Sequence, residues 1–431
     1  MKGFLLDPLR CTGCEACRVA CAIENRLPME RAWRTVHHAN PWHLPGHPSF
    51  HLSIACNHCE RPACMEGCPA SAYARDPGTG AVLLDPARCI GCRYCAWQCP
   101  YDAPVFDTGA GVMGKCTFCA DRLRVGRAPS CATACPTGAL GVEEATEPRA
   151  DPDFPGLYPG GLGPALRIAP GPLPAAPAQA APSPGGFAPR PAAPSGLGAE
   201  WTLWVFTLLG LGLVGLHLGW TLGGPLRVPP WGFLVVGVLA AGLSTAHLGR
   251  PERAWRALGN LRSSWLSREI LGFSLFLPAA AWAQSTGIRG PAAWLAAGLG
   301  LLFLIAVDRL YQVAERRPWW RMRSSEALPA GLQVAVLVAG WIPAYALLGL
   351  ARCCLFLVGD RPLAVPAAVR LAALSLPLAA AAAPLPPWAV LAGMLAGEVL
   401  DRAGFYARLQ PPGPSSLLGP PAVTSGCADP A

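Results

Sequence analysis

Cysteine placement constrains this chain more than any other feature. Sixteen of its 19 cysteines precede residue 136 and fall into four sets of four. Set one is Cys11, Cys14, Cys17 and Cys21, and set two, in "CNHCERPACMEGCP", is Cys56, Cys59, Cys64 and Cys68. Set three, in "CIGCRYCAWQCP", is Cys89, Cys92, Cys95 and Cys99, and set four is Cys116, Cys119, Cys131 and Cys135. Three thiolates close in sequence can wrap three corners of an iron–sulfur cube while the fourth leads the chain to a neighbouring cube. Proline after Cys68, Cys99 and Cys135 fits that departure, whereas Ala22 follows Cys21. The opening "MKGFLLDPLRCTGCEACRVAC" puts cysteines where an apolar leader would lie, and no twin-arginine pair precedes it. A reducing compartment is therefore expected, in which metal ligation displaces disulfides.

Zinc is the competing metal, because Cys-x-x-Cys pairs also build tetrahedral sites. Zinc sites use two separated pairs, however, and sets one and three place a third cysteine only three residues after the second. Four [4Fe–4S] clusters are expected, in a compact, loop-rich domain over residues 1–147. No catalytic dyad is legible near the cysteines, so the domain's expected task is to conduct electrons.

The remainder has a different character, which the overall figures of 52% hydrophobic and 14% charged residues conceal. Residues 148–199, with "PGPLPAAPAQAAPSPGGFAPRPAAPSG", read as a disordered Pro/Ala/Gly linker. Seven apolar stretches follow, near 202–222, 231–248, 269–287, 292–310, 329–350, 364–383 and 387–406. A helix needs about 20 residues to cross the hydrocarbon core, so residues 200–408 are expected to be an all-α polytopic membrane bundle. Residues 409–431 read as a disordered tail. Arg250, Arg253, Arg256, Arg262 and Arg268 follow the second stretch, and Arg309, Arg316, Arg317, Arg321 and Arg323 follow the fourth. Basic loops stay cytoplasmic, which predicts an inner-membrane protein with its iron–sulfur domain on the cytoplasmic face.

Within "STAHLGRPERAWRALGNLRSSWLSREILGFSLF", His247 closes the second stretch and Glu269 opens the third. Quinol oxidation needs a base for the protons and hydrogen-bonding groups for the ring hydroxyls, and ionisable groups at membrane depth are costly and usually functional. These two are the candidate quinol ligands. His217, Glu398 and Arg402 read as structural, the last two pairing four residues apart on one helix face. Cys353 and Cys354 read as packing residues, and Cys427 falls in the tail.

The four cysteine sets resemble the iron–sulfur subunit of the dimethyl sulfoxide reductase family of molybdenum enzymes, over residues 1–145. That resemblance implies an α+β, ferredoxin-like fold of two halves with crossed ligation. Cys11, Cys14 and Cys17 then share a cube with Cys135, and Cys116, Cys119 and Cys131 share one with Cys21. Cys89, Cys92 and Cys95 go with Cys68, and Cys56, Cys59 and Cys64 with Cys99. The segment "HLGRPERAWRALGNLRSSWLSREIL" is similar to the same family's membrane-anchor subunit, whose matching histidine and glutamate belong to the menaquinol site. "EWTLWVFTLLG" and "GEVLDRAGFY" resemble that anchor's first and last helices, although family anchors have eight spans and seven are legible here.

The implied whole is a fusion of electron-transfer and anchor subunits, oxidising menaquinol in the bilayer and serving a separate molybdopterin catalytic subunit, with no nucleic acid involved. Two alternatives use the same parts. One is a quinone-reducing subunit of a formate-type dehydrogenase. The other is an ion-translocating redox module, which would want more ionisable residues in mid-membrane than the sequence has.

Overall fold

The computed structural model describes residues 2–40, 49–144, 154–155, 157–158, 161–169, 200–315, 327–341, 343–345, 347–349, 351 and 398–399. They fall into two compact units, one containing Met1–Cys89 and Arg93–Ala193 and the other Pro194–Gln410.

The amino-terminal unit is made of short elements, because the ligand loops take up the residues between them. In chain order they are β1 (Lys2–Leu6), α1 (Ala16–Glu24), β2 (Thr35–Ala39), β3 (Phe50–Ile54), α2 (Ala63–Glu66), β4 (Tyr73–Arg75), β5 (Val82–Leu84) and α3 (Tyr94–Gln98). Then follow β6 (Val105–Asp107), β7 (Val112–Gly114), α4 (Ala120–Arg124), α5 (Ser130–Thr133), β8 (Leu140–Glu144) and β9 (Leu166–Ile168). Three antiparallel hairpins, β2–β3, β4–β5 and β6–β7, accompany a three-stranded sheet in the order β8-β1-β9. In that sheet Phe4 pairs antiparallel with Val142 and parallel with Leu166. Phe4, Leu6, Leu52, Ile54, Phe118, Leu140 and Leu166 form its core, with sulfurs of the cysteine sets among them.

Strand β9 corrects the reading of residues 148–199 as a linker throughout. Leu157 and Leu166 are buried in the core, and Phe154, Leu162 and Ile168 pack against it. The abundant proline and glycine masked these apolar residues, which are sparse but enough to bury one edge of β1. Residues 170–199 lie outside the described residues.

The second unit is helical. It contains α6 (Trp201–Thr221), α7 (Pro230–Ala246), a 3₁₀ segment (Pro251–Leu258), α8 (Trp265–Thr286), α9 (Pro291–Glu315) and α10 (Ala327–Val338). Helix α6 packs on α7, α9 and α10, and α8 packs on α7 and α9. A Cβ on Gly215 or Gly219 would come within 2.5 Å of Val334 or Val338, so these two glycines let α6 and α10 lie against one another. The edges of Phe206, Phe273 and Phe303 meet with ring centroids 5.1 to 5.9 Å apart.

Among the described residues, two helices are long and apolar enough to cross a membrane, Trp201–Thr221 and Pro291–Gln312. A third candidate is Pro230–Ala246 taken together with Pro251–Leu258, two helices bent by 104°. The other expected spans differ for identifiable reasons. Helix α8 has the length, at 22 residues, but carries Arg268, Glu269 and Gln284. Helix α10 stops after 12 residues, ahead of Gly340 at φ 78°. The sixth and seventh expected spans, apart from residues 398–399, lie outside the described residues, as does the expected tail.

Candidate metal centre

In each set, the first Cys-x-x-Cys loop places a residue with positive φ immediately before its second cysteine. These are Gly13 (69°), His58 (44°), Gly91 (71°) and Phe118 (60°). A left-handed residue turns the following backbone N–H groups inward, making a concavity that suits an anionic centre. The N–H of His58 lies 3.5 Å from Cys56 Sγ and that of Phe118 3.3 Å from Cys116 Sγ. Ala72 donates to Cys68 Sγ at 3.3 Å and Met113 to Cys89 Sγ at 3.5 Å. In sets one and three glycine adopts this conformation freely, whereas sets two and four force histidine and phenylalanine into it. Those two side chains stack on one another, with centroids 5.0 Å apart and planes 28° apart.

Sulfurs from separate stretches converge. One cavity is lined by Cys56, Cys59, Cys64 and Cys99. A second is lined by Cys21, Cys116, Cys119 and Cys131. Cys11 has Cys17, Cys135 and Cys14 as electrostatic neighbours, and Cys68 has Cys89. Among the described residues no three His, Cys, Asp or Glu side chains come together closely enough to hold a single metal ion. Thiolate donors arrayed around a cavity, with N–H groups aimed at the sulfurs, suit a cluster better than a single ion.

Two buried cations accompany the sulfurs. Lys115 Nζ lies 3.5 Å from Cys56 Sγ, donates to Cys116 O at 3.1 Å and also donates to Val82 O. Arg34, 2% exposed, donates through Nη1 to Ser53 O at 3.1 Å and Ser53 Oγ at 3.2 Å. Sequence reasoning missed both. Lys115 adjoins Cys116 and was findable there, but nothing in the spacing points to Arg34.

Residues 49–145 match the family model of the 4Fe-4S dicluster domain. Over 147 residues the sequence is 40% identical to a component of the anaerobic dimethyl sulfoxide reductase of Escherichia coli, an alignment covering 32% of this chain and 71% of that one. It is 41% identical over 141 residues to the thiosulfate reductase electron transfer subunit of Salmonella typhi, covering 32% and 72%. It is 37% identical over 151 residues to a component of the tetrathionate reductase of Salmonella typhimurium, covering 34% and 58%. This chain is a member of the family of reductase iron–sulfur subunits. The likeness takes about a third of the chain, in its N-terminal part.

For a member of this family the thiol environment is informative. Burial pushes the Cys21 thiol up to about 11, against the lowering effect of the Arg34 charge. Burial likewise raises Cys11, Cys17, Cys68 and Cys119. At Cys135 burial is outweighed by the N–H groups of Leu140, Thr137 and Ala139 and by the Thr137 hydroxyl, and the thiol is held below its usual value. Most of these sulfurs favour the protonated form until iron takes the proton's place.

In the helical unit, His247 is the C-cap of α7 and half-buried. Glu269 lies one turn inside α8 rather than at its start, because Ser264 caps the helix earlier by accepting from Ser267 N–H at 3.4 Å. The Glu269 side chain is buried, and among the described residues no hydrogen bond or ion pair reaches it. His217 is fully buried, with Nε2 3.0 Å from Ala293 O and Nδ1 3.4 Å from Gln284 Nε2, a lock between α6, α8 and α9. Glu398 is buried, while Arg402, Cys353, Cys354, Cys427 and the arginines from 316 to 323 lie outside the described residues.

Proposed function

We propose that this chain is the electron-transfer and membrane-anchor subunit of an anaerobic respiratory reductase. It takes electrons from menaquinol at His247 and Glu269 and passes them to a separate molybdopterin-containing catalytic subunit. The observation that carries this reading is the gathering of cysteines from distant stretches around shared cavities, Cys56, Cys59 and Cys64 with Cys99, and Cys116, Cys119 and Cys131 with Cys21. The remaining eight, Cys11, Cys14, Cys17 with Cys135 and Cys89, Cys92, Cys95 with Cys68, complete four [4Fe–4S] sites. Bound clusters supply one-electron acceptors in series. The chain's own residues hold them, aim N–H groups at their sulfurs and bury them from water.

Menaquinol loses two electrons and two protons to become the quinone. His247 and Glu269 receive the protons as the electrons leave one at a time. A buried carboxyl group with no partner among the described residues is costly and is usually kept for function, and Glu269 fits that description. The site and the iron–sulfur domain share the cytoplasmic side of the inner membrane in this scheme.

The full-length chain purified without oxygen should carry about sixteen iron and sixteen labile sulfide. Stoichiometric zinc with little iron overturns the reading. In His247→Ala or Glu269→Gln, cluster content and reduction by dithionite should be unchanged while reduction by a menaquinol analogue is lost. Quinol-driven reduction at the wild-type rate in both variants would remove these residues from the pathway.

A further inference from the structure

Among the described residues no carboxylate pairs with Arg34. Its Nη1 is satisfied by Ser53, but Nε and Nη2 are buried without an acceptor among the described residues. The guanidinium lies 4.3 Å over the Phe4 ring, which shields it from water on that side. An unpaired buried charge is strongly unfavourable, so its surroundings have to supply an anion. Arg34 lines the cavity formed by Cys21, Cys116, Cys119 and Cys131. Its charge and its backbone N–H, with the N–H of Trp33, lower the Cys21 thiol against the effect of burial. The Ser53 hydroxyl that accepts from Arg34 also lies 3.2 Å from Cys17 Sγ.

We propose that Arg34 is the fixed counter-charge of the site formed by Cys21, Cys116, Cys119 and Cys131, and that it raises the reduction potential of the cluster held there. This rests on the function proposed above. Four thiolates outweigh the positive charge of an iron–sulfur core, so the loaded site is an anion, and each electron accepted from quinol adds one further negative charge without a proton. In a water-poor cavity that added charge is costly unless a cation faces it. A guanidinium keeps its proton at any working pH, and two of its nitrogens carry N–H groups with no protein acceptor. Lys115 differs, since its ammonium already donates to two carbonyls.

Potentiometric titration of the full chain, followed by electron paramagnetic resonance, tests this in wild type, Arg34→Met and Arg34→Lys. Arg34→Met should keep its iron while one cluster becomes at least tenfold harder to reduce, a fall of about 59 mV for one electron, and Arg34→Lys should recover most of that shift. Full iron and unmoved midpoints in Arg34→Met overturn the proposal. Should Arg34→Met lose a cluster, Arg34→Lys decides. Full iron with a midpoint near wild type supports the charge, and loss of the same cluster overturns it in favour of packing. A wild-type chain without iron would instead overturn the functional reading on which this rests.

Discussion

His58 and Phe118 hold equivalent positions in their loops, each in a left-handed conformation that costs an ordinary residue of order 1 kcal/mol or more. Stacking of the two rings and burial of Phe118 at 1% exposure hold that conformation in place. Phe118 also meets Phe4 edge-on, with centroids 4.6 Å apart. Truncating it opens a cavity between two cysteine sets, so Phe118→Ala should lower stability by about 3–5 kcal/mol. The loss should appear as bleaching of cluster absorbance at lower guanidinium concentration under anaerobic conditions. A midpoint equal to wild type would show that the ring bears no such load. The cysteines were legible because their chemistry is unique to their residue type. The left-handed turn before the second cysteine was not read: Gly13 and Gly91 carry a local signal for it in sets one and three, whereas in sets two and four tertiary packing rather than local preference selects it.

Strand β9 shows the same limit at the level of an element. Composition identifies a segment that cannot form its own core, but not whether a few of its side chains complete a neighbour's. Leu166, Leu157 and Phe154 do so, and Arg167 pairs with Glu143 of β8 across the sheet. Leu166→Asp would place a carboxylate in that core and should cost several kcal/mol, read as reduced iron per chain after mild heating. Retention of iron at the wild-type temperature would return β9 to the status of a tether. In the helical unit, long apolar runs located α6 to α9 within a few residues. Helix α10 ended early because Gly340 is a stop that an unbroken apolar run conceals.

At the scale of the whole molecule, two kinds of chemistry share one polypeptide. About a third of it aligns with iron–sulfur subunits, and among the described residues two helices behind it are long and apolar enough to cross a membrane. If the proposed topology holds, reporters inserted after residue 144 and within 259–263 should both report the cytoplasm. A periplasmic signal from the second alone would remove one crossing from the scheme, and from both would reverse its orientation. The proposed crossed ligation would also impose a timetable on biogenesis. As the nascent chain leaves the ribosome, the proposed quartet ending at Cys95 is complete first and the one ending at Cys99 follows. Cys21 waits for Cys131, and Cys11, Cys14 and Cys17 wait for Cys135. The earliest-made thiols are thus the last to be filled and must survive, reduced and unclaimed, while more than a hundred further residues are translated. With those pairings, maturation of this domain would depend on an anaerobic cell or on a protecting escort for its first twenty-one residues.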